Sequence, residues 1–230
     1  MFMKTENALQ DPISKYKLLF TKPKTFFKEV VKEKDYQAIA IYVGFVLAVG
    51  ELLEYIAWFP SVTINDVIPK ENILRLGIAG IIMNPLLTLG VTLVLAWFIN
   101  IFLSFFEKNK DFFTTWKVIA YSMLIPIVYS ISISLFQTIA ESLNPWADQS
   151  IFATHPTWGL YSLLMTILFV LLAVAVLVHV FKTQVIGLKE YYKLTTKQAF
   201  TVVICSTILF LLLLIFLFVV IGMYAVRTAL

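Results

Sequence analysis

The chain has 230 residues, of which 60% are hydrophobic and only 14% are charged, and its mean hydropathy is +0.88. This number of charges is too small to cover a water-exposed surface. The composition therefore excludes an ordinary soluble domain and indicates a membrane protein. The net charge of +4 does not indicate nucleic-acid binding, because the lysines flank apolar runs and form no patch beside stacking aromatic residues.

Residues 1–35 predict a basic, amphipathic segment that Pro23 divides into two helical pieces. Lysines alternate here with apolar side chains, as in helices that lie in the headgroup region, and a solvated tether is the alternative. No short apolar core with a cleavage site is present, so we expect no removable signal peptide. The expected membrane-surface contacts are Lys22, Lys24, Phe26, Phe27 and Lys28.

Five apolar runs follow, each long enough to cross a bilayer core of roughly 30 Å. They are continuous rather than alternating apolar and polar, which favours helices over the strands of a β-barrel. The sequence therefore predicts an all-α fold, a polytopic bundle of five transmembrane helices that forms one domain over residues 36–230. The predicted spans are residues 37–59, 84–106, 117–139, 160–181 and 200–224.

Three span boundaries carry local signals. Asn84 and Pro85 fit the N-cap and first turn of a helix, so we expect the second span to start there after a short interfacial helix, with one kinked, tilted helix as the alternative. Pro126 predicts a kink in the third span. Thr195 and Gln198 have the spacing of a capping box, which predicts the start of the fifth helix.

The basic residues are distributed asymmetrically around the spans. Fifteen of the eighteen Lys and Arg residues lie in alternate segments: eight in residues 1–36, three in 107–117 and four in 182–199. The positive-inside rule therefore predicts a cytosolic N-terminus and an external C-terminus.

Three sequence stretches, in their order along the chain, resemble those of the Yip1 domain family of five-span membrane proteins. They are LLFTKPKTFFKEV, DFFTTWKVIAYSMLIP and VIGLKEYYKLTTKQA, and the resemblance extends from about Leu18 to Ile221. It implies a non-enzymatic role in membrane organisation, trafficking-like scaffolding or partner recruitment, linked in eukaryotic relatives to Rab-type GTPases. The chain carries neither the longer N-terminal region nor the Asp-Leu-Tyr-Gly-Pro motif of the eukaryotic Yip1 branch, so it resembles the prokaryotic members more closely. We expect a multi-pass protein of the cell membrane in a prokaryote or of the endomembranes in a eukaryote.

Glu51 and Glu54 are the only acidic residues inside a predicted span, and their spacing places them on one helix face. Intramembrane carboxylates are costly and often mark ion or proton pathways, which gives a small transporter or channel as the alternative function. Pairing with Arg75 or reaching the outer interface would instead make them structural. The serines of the third span favour close helix packing over substrate binding. The candidate intramembrane polar site consists of Glu51, Glu54, Arg75, Tyr121, Ser130 and Ser134.

No nucleophile and base occur at a recognisable catalytic spacing. His155 and His179 are predicted on opposite sides of the membrane, and Cys205 is the single cysteine, so neither a metal site nor a disulfide is expected. We therefore expect no enzymatic activity and no cofactor. The expected partners are the lipid bilayer with its anionic headgroups and a protein partner or a second copy of the chain, and no nucleic acid.

Overall fold

The structure is a computed structural model that describes residues 11–64, 70–106, 111–142 and 156–229. Every regular element in these ranges is an α-helix, which confirms the predicted fold class. In chain order the helices are α1 Pro12–Thr21, α2 Pro23–Val30, α3 Tyr36–Ile64, α4 Lys70–Ser104, α5 Phe112–Ser122, α6 Ile125–Ser142, α7 Pro156–Tyr192 and α8 Thr196–Ala229.

Five stretches of these helices are long and apolar enough to cross a membrane, as predicted. The third is formed by α5 and α6 together. The stretches are Tyr36–Ala57, Gly77–Ser104, Phe112–Phe136, Thr166–Tyr192 and Thr196–Val220.

The predicted helix start at Asn84 and Pro85 is wrong. Helix α4 continues through this point, and Pro85 lies inside it. The Asn84 side chain does not cap a helix but donates to the Glu51 carboxylate, at 3.1 Å between Nδ2 and Oε2. Proline is tolerated within a membrane helix because neighbouring groups can satisfy the carbonyl that it frees. The alternative of one long helix is therefore the one observed.

The two other boundary signals, at Pro126 and at Thr195, coincide with a helix break and a helix start in the structure. The disruption expected at Pro126 takes the form of a break, since α5 ends at Ser122 and α6 begins at Ile125, one residue before the proline. At the start of α8, the Thr195 amide donates to Gln198 Oε1 at 2.9 Å, and the Gln198 amide donates to Thr195 Oγ1 at 3.3 Å. These reciprocal bonds confirm the capping box.

The N-terminal helix pair, α1 and α2, is well defined locally. The Asp11 carboxylate caps α1 by accepting from the amides of Ile13 and Ser14 at 3.3 and 3.0 Å. A further hydrogen bond from the Ser14 hydroxyl lowers the pKa of Asp11. Pro12 and Pro23 each occupy the first turn of their helix, where the missing N–H has no cost.

The chain divides into two compact units. The first consists of Met1–Tyr36, Gly90–Ser122 and Phe181–Leu230, and the second of Gln37–Leu89 and Met123–Val180. The first unit contains the N-terminal helix pair, α5, α8 and the C-terminal ends of α4 and α7. The division of the chain at residue 35, expected from the sequence, stays a prediction.

Candidate functional site: a buried charge cluster beneath the N-terminal helices

Ionisable side chains are buried in the first unit where the N-terminal helix pair packs against α5. Lys117 on α5 is 1% exposed, Lys15 on α1 is 7% exposed and Tyr121 on α5 is fully buried. Charged groups are rarely buried unless they are paired, so each must have partners inside the protein. With Glu33, these three residues form what we call the charge cluster.

Glu33, which follows the end of α2, joins α1 to α5 through both of its carboxylate oxygens. Oε1 lies 2.7 Å from Lys15 Nζ, and Oε2 accepts a hydrogen bond from the Tyr121 hydroxyl at 2.8 Å. The Lys15 ammonium also lies 5.0 Å from the centre of the Tyr121 ring, within cation–π range. One carboxylate therefore bonds α1 and α5 at the same time.

Lys117 binds the C-terminal end of α2 rather than a carboxylate. Its ammonium donates to the Val30 carbonyl at 3.3 Å and to the Glu33 carbonyl. The last carbonyls of a helix lack partners within the helix and carry partial negative charge, so a cation is favourable there. The rings of Tyr36 and Tyr191 lie 5.5 and 5.6 Å from the same ammonium and complete its surroundings.

Aromatic packing closes the cluster on its apolar side. Phe26 and Phe27 are fully buried, and the Phe26 ring meets the Tyr121 ring edge-on with centroids 5.0 Å apart. Gly187 on α7 makes this packing possible, because a Cβ there would lie 2.5 Å from Val118 Cγ1 and 3.1 Å from the Phe27 ring. Only glycine lets α7 approach α2 and α5 this closely.

A second polar network secures the start of α5. Thr115 Oγ1 lies 2.7 Å from the Tyr192 hydroxyl and donates to Asn100 Oδ1 at 3.0 Å. Tyr192 in turn donates to the Asp111 carbonyl at 2.9 Å. These bonds connect the ends of α4 and α7 to α5, so the helix that carries Lys117 and Tyr121 is itself fixed in place.

The charge cluster consists of interactions that attach the N-terminal helix pair to α5. Glu33 and backbone carbonyls face its cations, and its phenol donates to a carboxylate. Within the ranges that the structure describes, no three His, Cys, Asp or Glu side chains are grouped so as to hold a metal ion. The arrangement can hold α1 and α2 on the bundle and fix which of their side chains point outward.

The structure divides the predicted intramembrane site between the two units. Tyr121 belongs to the first unit and bonds to Glu33, whereas the other predicted members belong to the second. There, the half-buried Glu51 accepts from Asn84.

The remaining predicted members of that site all belong to the second unit. The Ser130 hydroxyl donates to the Ile127 carbonyl of its own helix at 3.1 Å, and Ser134 is 7% exposed. Glu54 is half-buried. The Arg75 side chain lies outside the described part of the structure. A functional role for the set stays a prediction.

The prediction that Phe26 and Phe27 contact the membrane surface is wrong for this structure. Both side chains have no exposed area, because they point into the protein against α5 and α7. The lysines beside them point outward: Lys22, Lys24 and Lys28 are exposed, and Lys24 lies 3.9 Å from Glu190 on α7. The apolar stripe of the segment is real, but it faces protein rather than lipid.

Sequence reasoning missed Lys15, Glu33 and Lys117. Lys117 was counted among the charges that mark the cytosolic side, although it lies between the buried residues Trp116 and Val118. That position was the available signal, since a lysine within an apolar helix must find a partner. No comparable signal distinguished Lys15 or Glu33 from the other charged residues of the N-terminal segment.

The fold defines a class of protein: a multi-pass, α-helical integral membrane protein whose N-terminal helix pair packs on its membrane-spanning helices. The Yip1 domain family model matches residues 17–220, and the chain belongs to the Yip1 domain family. No curated protein and no solved structure matches the chain. The match confirms the family resemblance seen in the sequence.

Proposed function

We propose that this protein is a non-enzymatic membrane scaffold that presents a basic surface, fixed in orientation, to anionic lipid headgroups. The observation that carries the proposal is the opposite placement of apolar and basic residues on α2: Phe26 and Phe27 are fully buried, while Lys22, Lys24 and Lys28 are exposed. The charge cluster holds the helix pair in this orientation.

The charge of the segment supports a lipid partner. Residues 11–36 contain seven lysines and four acidic residues, a net charge of +3. Of the seven lysines only Lys15 is buried, and Glu29 and Glu33 are partly buried. Basic residues near an anionic leaflet contribute about 1 kcal/mol each, so six exposed lysines on a fixed surface would concentrate anionic lipid around the protein. A cytosolic location of this surface, expected from the positive-inside rule, is part of the proposal.

The test measures which lipids surround the full-length protein. A donor fluorophore at the N-terminus of the reconstituted protein transfers energy to acceptor-labelled phosphatidylglycerol or, in a parallel sample, to acceptor-labelled phosphatidylcholine. We expect greater transfer to phosphatidylglycerol at about 50 mM salt and little difference at about 500 mM, because salt screens exposed charges.

A matched pair of variants separates charge from structure. The variant in which Gln replaces Lys22, Lys24 and Lys28 should lose the preference for phosphatidylglycerol. The variant in which Arg replaces the same three lysines should keep it. Equal transfer to both lipids in the parent protein would refute lipid organisation by this surface. Recruitment of an acidic protein partner, the other form of scaffolding, would then be tested by cross-linking at the same lysines.

A small transporter is the second candidate, and the Glu51–Asn84 hydrogen bond inside the spans is the observation that favours it. An intramembrane carboxylate with a polar partner on the next helix is a common component of proton pathways. The test is proton flux into proteoliposomes. The parent protein should conduct and Glu51→Gln should not, whereas a parent without flux would eliminate this candidate.

A further inference from the structure

A polar pair lies on the surface of the second unit within two membrane-spanning helices. Asn84 on α4 is exposed, and it donates to the half-buried Glu51 on α3 at 3.1 Å. Glu51 lies six residues before the end of the span Tyr36–Ala57, and Asn84 lies seven residues after the start of Gly77–Ser104. At 1.5 Å per residue these positions are about 9 and 10.5 Å from the ends of the spans, which is deep enough to lie within a hydrocarbon core of roughly 30 Å.

Polar groups at that depth cannot exchange hydrogen bonds with water, so leaving them against lipid is unfavourable. In the described part of the chain, the Glu51–Asn84 bond uses one amide N–H and one carboxylate oxygen. A second amide N–H, the amide oxygen and the other carboxylate oxygen remain. This small surface therefore carries both a donor and acceptors for a further partner.

The surface beside Asn84 also allows close approach of another helix. Gly80 lies one turn before Asn84 on the same face of α4, and among the described residues a Cβ built at Gly80 would meet only the side-chain Nδ2 of Asn84, at 3.8 Å. Small residues next to a polar side chain are typical of helix–helix contacts in membranes, because they let backbones and hydrogen-bonding groups come together.

We infer that Glu51, Gly80 and Asn84 form the contact between two copies of this chain. A surface with a donor and acceptors a few ångströms apart is complementary to itself, so two copies related by a two-fold axis can satisfy each other. Each Asn84 would bond to the polar pair of the other copy, while its own bond to Glu51 stays intact. The inference is independent of the proposed lipid-organising surface.

The first experiment measures self-association of the full-length protein in phosphatidylcholine vesicles. Copies labelled at the C-terminus with donor or acceptor fluorophores are mixed, and energy transfer is followed as the protein is diluted with lipid. We expect a dimer whose dissociation constant rises roughly tenfold or more in Asn84→Leu. The substitution removes the Asn84 side chain of both copies from the interface. Each interhelical hydrogen bond contributes modestly to the free energy of association, and two such losses add.

A second pair of variants leaves the Glu51–Asn84 bond in place and so guards against a folding defect. Gly80→Leu fills the open position beside Asn84 and should weaken the dimer. Ala79→Leu adds the same bulk at the neighbouring exposed residue, about 100° around the helix, and should leave the dimer intact.

Either of two results would overturn the inference. One is a parent protein that shows no energy transfer above random proximity at any dilution, whether or not it conducts protons. The other is a dimer that Asn84→Leu and Gly80→Leu do not weaken, which would place the contact on another surface.

Discussion

Replacing Glu33 by glutamine tests whether the charge cluster holds the N-terminal helix pair. The substitution removes the negative charge next to Lys15, whose side chain is 9% exposed, but keeps an oxygen that can accept from Tyr121. Removing one partner of a fully buried ion pair costs about 3–5 kcal/mol. The Glu33 side chain is 26% exposed, so we expect a smaller loss of about 2–3 kcal/mol. This loss applies to the free energy that is needed to detach the helix pair, α1 and α2, from α5.

Amide hydrogen exchange of residues 12–30 in the full-length, reconstituted protein measures this opening directly. A loss of about 2–3 kcal/mol should accelerate exchange about 30- to 160-fold, at 1.36 kcal/mol for each factor of ten. Glu29→Gln is the matched control, because it makes the same chemical change next to Lys32, which is 76% exposed and 3.8 Å away. Surface pairs contribute about 1 kcal/mol or less, so this variant should accelerate exchange about fivefold or less. Equal exchange in the two variants would refute the reasoning.

Three further predictions concern the end of α2, the packing at Gly187 and the capping box of α8. Lys117→Met leaves the carbonyls of Val30 and Glu33 without their ammonium donor and should destabilise the end of α2 by about 1–3 kcal/mol, seen as faster exchange of residues 26–33. Gly187→Val should lower the melting temperature, because overpacking costs typically about 1–3 kcal/mol. Gly90→Val, where an added Cβ meets no atom of the described residues within 4 Å, should change the melting temperature little, and a similar effect at both sites would contradict the packing argument. Thr195→Val removes the capping hydroxyl and should destabilise the first turn of α8 by about 1 kcal/mol. Thr195→Ser, which keeps the hydroxyl, should not, and exchange at residues 196–199 distinguishes the two.

Features that depend on local sequence were predicted well. The five membrane-spanning stretches follow from runs of apolar residues, and the capping box at Thr195 follows from a three-residue spacing. The resemblance to the Yip1 family also followed from short motifs in order and was confirmed over residues 17–220. The start of the second span was predicted wrongly, because Asn84 has a bonding partner on another helix that its own neighbours do not reveal.

What the sequence by itself determined is the class of this protein, since the length and apolarity of a segment decide whether it can cross a bilayer. The tertiary structure alone decided which face of the N-terminal segment meets protein. Lys117 bonds to Val30, 87 residues earlier in the chain, and Tyr121 bonds to Glu33, 88 residues earlier. An amphipathic pattern says that a helix has an apolar face, but only the folded chain supplies the surface that covers it. Phe26 and Phe27 therefore have the sequence pattern of membrane contacts, while the packing of α5 and α7 places them inside the protein.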